Sequence, residues 1–262
     1  MKRYIRVYLT LIRLNLSALI VYPANFYNSL IATVAWSFFS LYSIVLLTTG
    51  VRAAFGMTRG EILLLNGVYG ILIAIFHVLF SYNFARFSSV IHKGELDGVL
   101  LKPIDAQFLL SFWMFGWVSI SRIVISVVYV AVLVKQLGIA ISFLDYILFF
   151  VLGACAILVL YSIWYIVITL TIWFTRVSNL VELMFNITGI ARYPRAMFGQ
   201  SAQVLPLLLF PILLMINTPA RVYLHTVGAI DGIMLVGFAC LFFVISRKFW
   251  RFALRFYTSA SS

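Results

Sequence analysis

Apolar runs of bilayer length recur along this chain, and they restrict its fold before any motif is considered. About 20 consecutive apolar residues cross the ~30 Å hydrocarbon layer as a helix. Such runs occupy residues 26–49, 62–85, 108–134, 146–174 and 228–245, and a shorter one occupies 178–193. In lipid every backbone polar group must be satisfied internally. Long continuous runs therefore mean helices, not the ~10-residue alternating segments of a membrane barrel. Only 10% of the residues are charged, against about 25% in a soluble domain. No polar gap could hold a soluble domain. Residues 1–262 read as a single all-α integral membrane domain with six transmembrane helices.

Residues 1–22 form a distinct unit. At 100° per residue, Lys2, Arg3, Arg6, Thr10, Arg13 and Ser17 share an arc of about 100°, with Tyr4, Tyr8, Ile5, Ile12 and Leu16 opposite. That pattern suits an amphipathic helix lying in the membrane interface. The same residues also fit an extension of the first span with snorkelling basic side chains. Pro23 marks a bend, and no A-x-A-like site suggests a cleaved signal.

Between the second and third runs lies the charged segment 86–107, RFSSVIHKGELDGVLLKPIDAQ. Gly94 breaks the preceding helix. Glu95 and Asp97 fall in the first turn of a new one, where acid complements the helix dipole. Leu96, Val99 and Leu100 share a face at i, i+3, i+4, and Lys102 and Pro103 end the helix. With Lys93 at its start, this is either a surface helix suited to a partner's groove or an ordinary solvated hairpin. Residues 194–227 are the other irregular stretch. They contain Pro194, Pro206, Pro211 and Pro219, and a 13-residue apolar run, Val204–Ile216, that is too short to span. A run of that length reads as re-entrant or interfacial.

Twelve basic residues flank one side of this topology, in the N-terminus, the 86–107 loop, Arg176 and the tail, against six on the other. Both termini and the charged loop are therefore expected in the cytoplasm, with 194–227 facing outward. The net charge of +12 follows from those flanks and implies no nucleic-acid partner. No G-x-x-x-x-G-K-[ST] occurs, so the chain holds no P-loop. No His/Cys cluster suggests a metal, and no bound cofactor is expected. Cys155 and Cys240 read as packed free thiols, and His77 as a satisfied polar residue. Arg122 and Glu182 fall within apolar runs. They either pair inside the membrane or snorkel separately to its interface.

The K-G-E-L-D…L-L-K-P pattern of the charged loop, the ARYP…PLLLFPILLMINTPAR segment and the basic N-terminal helix together resemble the membrane subunits of ABC-2 type (type V fold) ABC exporters. The resemblance covers essentially the whole chain. It implies a permease subunit of a bacterial exporter in the inner membrane, paired with a second permease, identical or paralogous. Separate nucleotide-binding subunits would use ATP and Mg to drive it. Residues 1–22 would be a connecting helix. Lys93, Gly94, Glu95, Leu96, Asp97, Leu100, Lys102 and Pro103 would form the coupling region, and Tyr193, Pro194, Pro211 and Pro219 an outer gate. The alternatives are a stand-alone secondary transporter, which would call for inverted repeats and paired intramembrane charges, and a non-transporting membrane assembly factor. The substrate is not legible in the sequence.

Overall fold

The computed structural model describes residues 2–21, 23–50, 53–54, 56–174, 178–194 and 209–258. Arg176, Pro206 and residues 195–208 of the expected outer segment, 194–227, lie outside the described residues. Among the described residues the regular structure is helical apart from a two-residue antiparallel pair, Ala53–Ala54 with Met57–Thr58. Five helical stretches among the described residues are long and apolar enough to cross a membrane. They are α2 (Pro23–Leu47), the continuous pair α3 (Arg59–Phe76) and α4 (Tyr82–His92), α7 (Ser119–Gln136), α8 (Phe143–Thr169) and α11 (Ala229–Ala253). A basic helix, α1 (Lys2–Val21), precedes them. The short helices α5 (Glu95–Leu100) and α6 (Ala106–Ser111) follow α4.

Local sequence sets the helix starts. Thr58 and Glu61 form a reciprocal capping box at α3, and Ser142 and Asp145 form another at α8, each satisfying two otherwise orphaned N–H groups. The bundle packs through α3. Gly67 and Gly70 bring it so close to α7 that an added Cβ would meet the side chains of Val130 and Ser126. Small residues at such contacts are how membrane helices approach without a hydrophobic driving force. An aromatic ladder, Phe76, Phe80, Phe84 and Phe87, runs down α3–α4 against Tyr161, Trp164 and Tyr165 of α8 and Trp250 of α11.

Two ends are thereby defined. Tyr4 packs edge-on to Phe108, and Arg247 pairs with Asp105, so α1, the 93–105 loop and the C-terminal helix share one end. At the other end Arg221 pairs with Asp231 and His225 with Asp145, and Gly60 abuts Leu137.

The structure corrects two expectations. The expected third span, 108–134, is not continuous: the helix breaks at 112–118, and only α7 is of spanning length. The expected fifth span is α9 (Ser178–Ile190), 13 residues long, or about 20 Å at 1.5 Å per residue, which is short of the bilayer. The sixth expected span, 228–245, is prolonged into the basic tail, where α11 runs on through Arg247 and Trp250 to Ala253. Part of the proline-rich stretch is helical as well. α10 (Leu209–Tyr223) is enclosed by its neighbours from Pro211 to Ala220.

Candidate functional site

The 86–107 segment folds as a helix, a left-handed glycine and a second short helix. Gly94 adopts φ +70°, a conformation costly for residues with a Cβ. The chain therefore turns directly from α4 into α5. The expected apolar stripe divides. Leu96 is fully buried and Val99 nearly so, covered by α4 and α6, whereas Leu100 is 41% and Leu101 86% exposed. Leu96 is thus a core residue of this chain. The face open to a partner is Leu100, Leu101, Lys102 and Pro103. Glu95 pairs with Arg86 of α4, and the Lys102 ammonium lies 4.4 Å from the centre of the Trp113 ring. Lys93 is exposed. Between these two contacts lies a groove of about 440 Å³, whose lining includes Arg86, Val90, Gly98, Lys102 and Trp113.

Asp105 fixes the far end of the loop. Its carboxylate caps α6 by accepting from the Phe108 N–H at 2.9 Å, and takes a two-pronged contact from the Arg247 guanidinium at 2.6 and 2.7 Å. Such fork-on-fork pairs are the strong, geometrically specific kind. The hydrogen bond from Arg247 holds the Asp105 carboxyl below the usual carboxylate range. Arg247 also donates to Gln107, whose amide donates to the buried Tyr161 hydroxyl. Asp97 lies beside Tyr257, and burial, followed by that carboxylate, raises the phenol. Sequence reasoning missed Asp105, Gln107, Arg247 and Tyr257. The one available signal was the acid–x–Gln spacing at 105–107.

The break at 112–118 is held by side chains acting as backbone. Asn83 of α4 donates to the Ser111 and Met114 carbonyls and accepts from the Met114 N–H. Asn15 of α1 donates to the Trp113 carbonyl and accepts from the Phe115 N–H. The Gly116 N–H donates to the Val78 carbonyl at 2.8 Å. That carbonyl belongs to a π-helical turn, His77–Ser81, between α3 and α4. Such turns free backbone groups and recur at functional sites.

The π turn borders a second cavity, of about 570 Å³, among α2, α7 and α9. Arg122, His77, Ser37, Ser81 and Ser119 line it together with Trp36 and Phe185. Glu182 is exposed on α9 and forms no ion pair with Arg122. Of the expected gate residues, Tyr193 and Pro194 lie three and four residues beyond the end of α9 and are half-buried and buried. Pro211 sits in the first turn of α10, and Pro219 lies inside that helix. Cys155 and Cys240 are free thiols. Among the described residues no group of three His, Cys, Asp or Glu could hold a metal.

In comparison with known proteins, a family model described as "ABC-2 family transporter protein" matches residues 30–261. No curated protein and no solved structure matches the chain.

Proposed function

The chain belongs to the ABC-2 family of transporter proteins, and on that premise we propose that it is the permease of an ATP-driven exporter, worked by a separate nucleotide-binding subunit through the 93–105 loop. It is a component of membrane transport and not itself a catalyst. ATP and Mg act in the partner. A second permease, identical or paralogous, completes the pathway. The loop end faces the cytoplasm, in a bacterial inner membrane, in keeping with its share of basic residues. The described part of 194–227 belongs to the outer half, where Tyr193, Pro194, Pro211 and Pro219 shape the exit.

The observation that carries this reading is the exposed Leu100–Leu101 pair on a loop otherwise tied down on every side. An 86% exposed leucine at the aqueous end of a membrane bundle gains nothing from this chain. Seated in a partner it would contribute about 1.5–3 kcal/mol. Arg86–Glu95 and Asp105–Arg247 brace the loop, so force applied at Leu101 reaches α4 and α11 as a rigid push.

The test is reconstitution in liposomes with the nucleotide-binding subunit. Leu101→Glu is expected to insert and pair normally, but to lose ATPase association and ATP-driven export. Leu96→Ala is expected to lower the protein's own thermal stability by about 2–5 kcal/mol through the core cavity it leaves. Export by the chain alone on an ion gradient would overturn the reading.

A further inference from the structure

We propose that the cavity between α2, α7 and α9 binds the anionic head of an amphiphile, with Arg122 as its counter-ion, and that this is the chemical class the pathway carries. The second half of that statement rests on the permease reading; the first does not.

Depth comes from the helix register. Gly67 lies against Val130 and Gly70 against Ser126, so α3 and α7 run antiparallel and Arg122 is level with about residue 74 of α3. That is about 22 Å along the helix from Arg59 at 1.5 Å per residue, inside a hydrocarbon layer of about 30 Å. Arg192 is also at membrane depth. Its guanidinium lies over the Tyr69 ring, about 15 Å from Arg59.

Intramembrane cations ordinarily pair or face an aqueous cavity, and here the acids are fully accounted for. The chain has seven Asp and Glu. Glu61 caps α3, Glu95 holds Arg86, Asp97 lies beside Tyr257, and Asp105 holds Arg247. Asp145 caps α8 and meets His225, Asp231 holds Arg221, and Glu182 is exposed. None is left for Arg122, whose electrostatic neighbours are the Tyr69 phenol and the Arg192 guanidinium. Arg192 has partners of its own, the Tyr69 ring and the Gly189 carbonyl. Among the described residues Arg122 makes no hydrogen bond or ion pair. It opens instead into the 570 Å³ cavity, within the size range of ligand sites.

The lining specifies the ligand. Hydroxyls of Ser81 and Ser119 and the His77 ring offer donors beside the guanidinium, a set suited to phosphate or carboxylate oxygens. Trp36, Tyr82 and Phe185 supply an apolar remainder. Trp36 is 64% and Tyr82 49% exposed, so the cavity reaches the surface of this chain along an aromatic edge. A head that is anionic and a body that is apolar fit both halves. A membrane phospholipid and a soluble aromatic phosphate share that chemistry.

The binding test uses the full chain in a neutral detergent, without any ATPase, so its failure would leave ATP-driven export untouched. Native mass spectrometry reads retention of phosphatidylglycerol against phosphatidylcholine. Fluorescence titration reads binding of 1-naphthyl phosphate. Wild type is expected to prefer at least one of these anions tenfold or more over the net-neutral lipid. Arg122→Gln is expected to abolish the preference, and Arg122→Lys to keep part of it. Ser119→Asp places a carboxylate three residues before Arg122 on the same helix face. It is expected to raise the thermal midpoint while abolishing anion preference, so loss of binding cannot be taken for misfolding. Phosphatidylglycerol alone binding identifies a lipid source, and naphthyl phosphate alone a soluble one. No anion preference in wild type, or wild-type preference in folded Arg122→Gln or Ser119→Asp, overturns the proposal.

Discussion

Asn15 and Asn83 each serve a stretch of backbone far away in sequence, and their removal has a calculable cost. Asn83→Ala would strip partners from the Ser111 and Met114 carbonyls and the Met114 N–H. A buried group left unpaired costs about 1–3 kcal/mol. The variant is therefore expected to lose at least about 2 kcal/mol of stability, read as a lowered unfolding midpoint in detergent. An unchanged midpoint would mean that the break holds itself. Gly116→Ala tests the same break sterically: a Cβ there would lie 2.7 Å from the His77 carbonyl oxygen and 2.8 Å from the Tyr82 ring. Neither device was legible beforehand. Both asparagines stand out in apolar surroundings, but their acceptors lie up to 98 and 31 residues away. The Arg122–Glu182 alternative shows the same limit, because two lone charges in separate spans have no sequence spacing to relate them.

At the scale of elements, the loop was readable where local chemistry decides and misread where tertiary cover does. The glycine break at Gly94 and the acidic first turn of α5 follow from backbone freedom and the helix dipole, and both are present. Which leucine faces out depends on α4 and α6, which only the fold supplies. The extension of α11 was hidden because basic residues read as a solvated flank, whereas Arg247 is tethered to Asp105 and Trp250 is buried between Phe87 and Tyr165. That tether carries a pH signature. The folded-state pKa of Asp105 is depressed, so its contribution to stability is fully present above the unfolded carboxylate pKa of about 3.9 and is lost as pH falls through the folded value. Thermal midpoints measured from pH 6 down to about pH 3 should fall more steeply for wild type than for Asp105→Asn. Parallel curves would show that the pair contributes nothing.

For the molecule as a whole, the membrane class and the family were legible, because apolar runs and a loop motif are local and survive any packing. The number of crossings was not. Helix α9 is 13 residues long, and the third run is interrupted at 112–118, where Asn15 and Asn83 hold the backbone from distant stretches. Sidedness is testable with single cysteines at Lys93 and Gln136, both exposed, after Cys155 and Cys240 are replaced. Lys93→Cys should react with an impermeant maleimide only from the cytoplasm, and Gln136→Cys only from outside. Labelling from the same side would overturn the topology. The π turn at His77–Ser81 has a mechanical corollary. A π turn is an α-helix with one residue too many, and it bears on the Arg122 cavity through His77 and Ser81. Unwinding that surplus would swivel everything beyond it, including the Leu101 tip, by about 100° about the helix axis. With the loop braced by Arg86–Glu95 and Asp105–Arg247, such a swivel would have to break both ion pairs, so the surplus residue is held in place by the loop it carries.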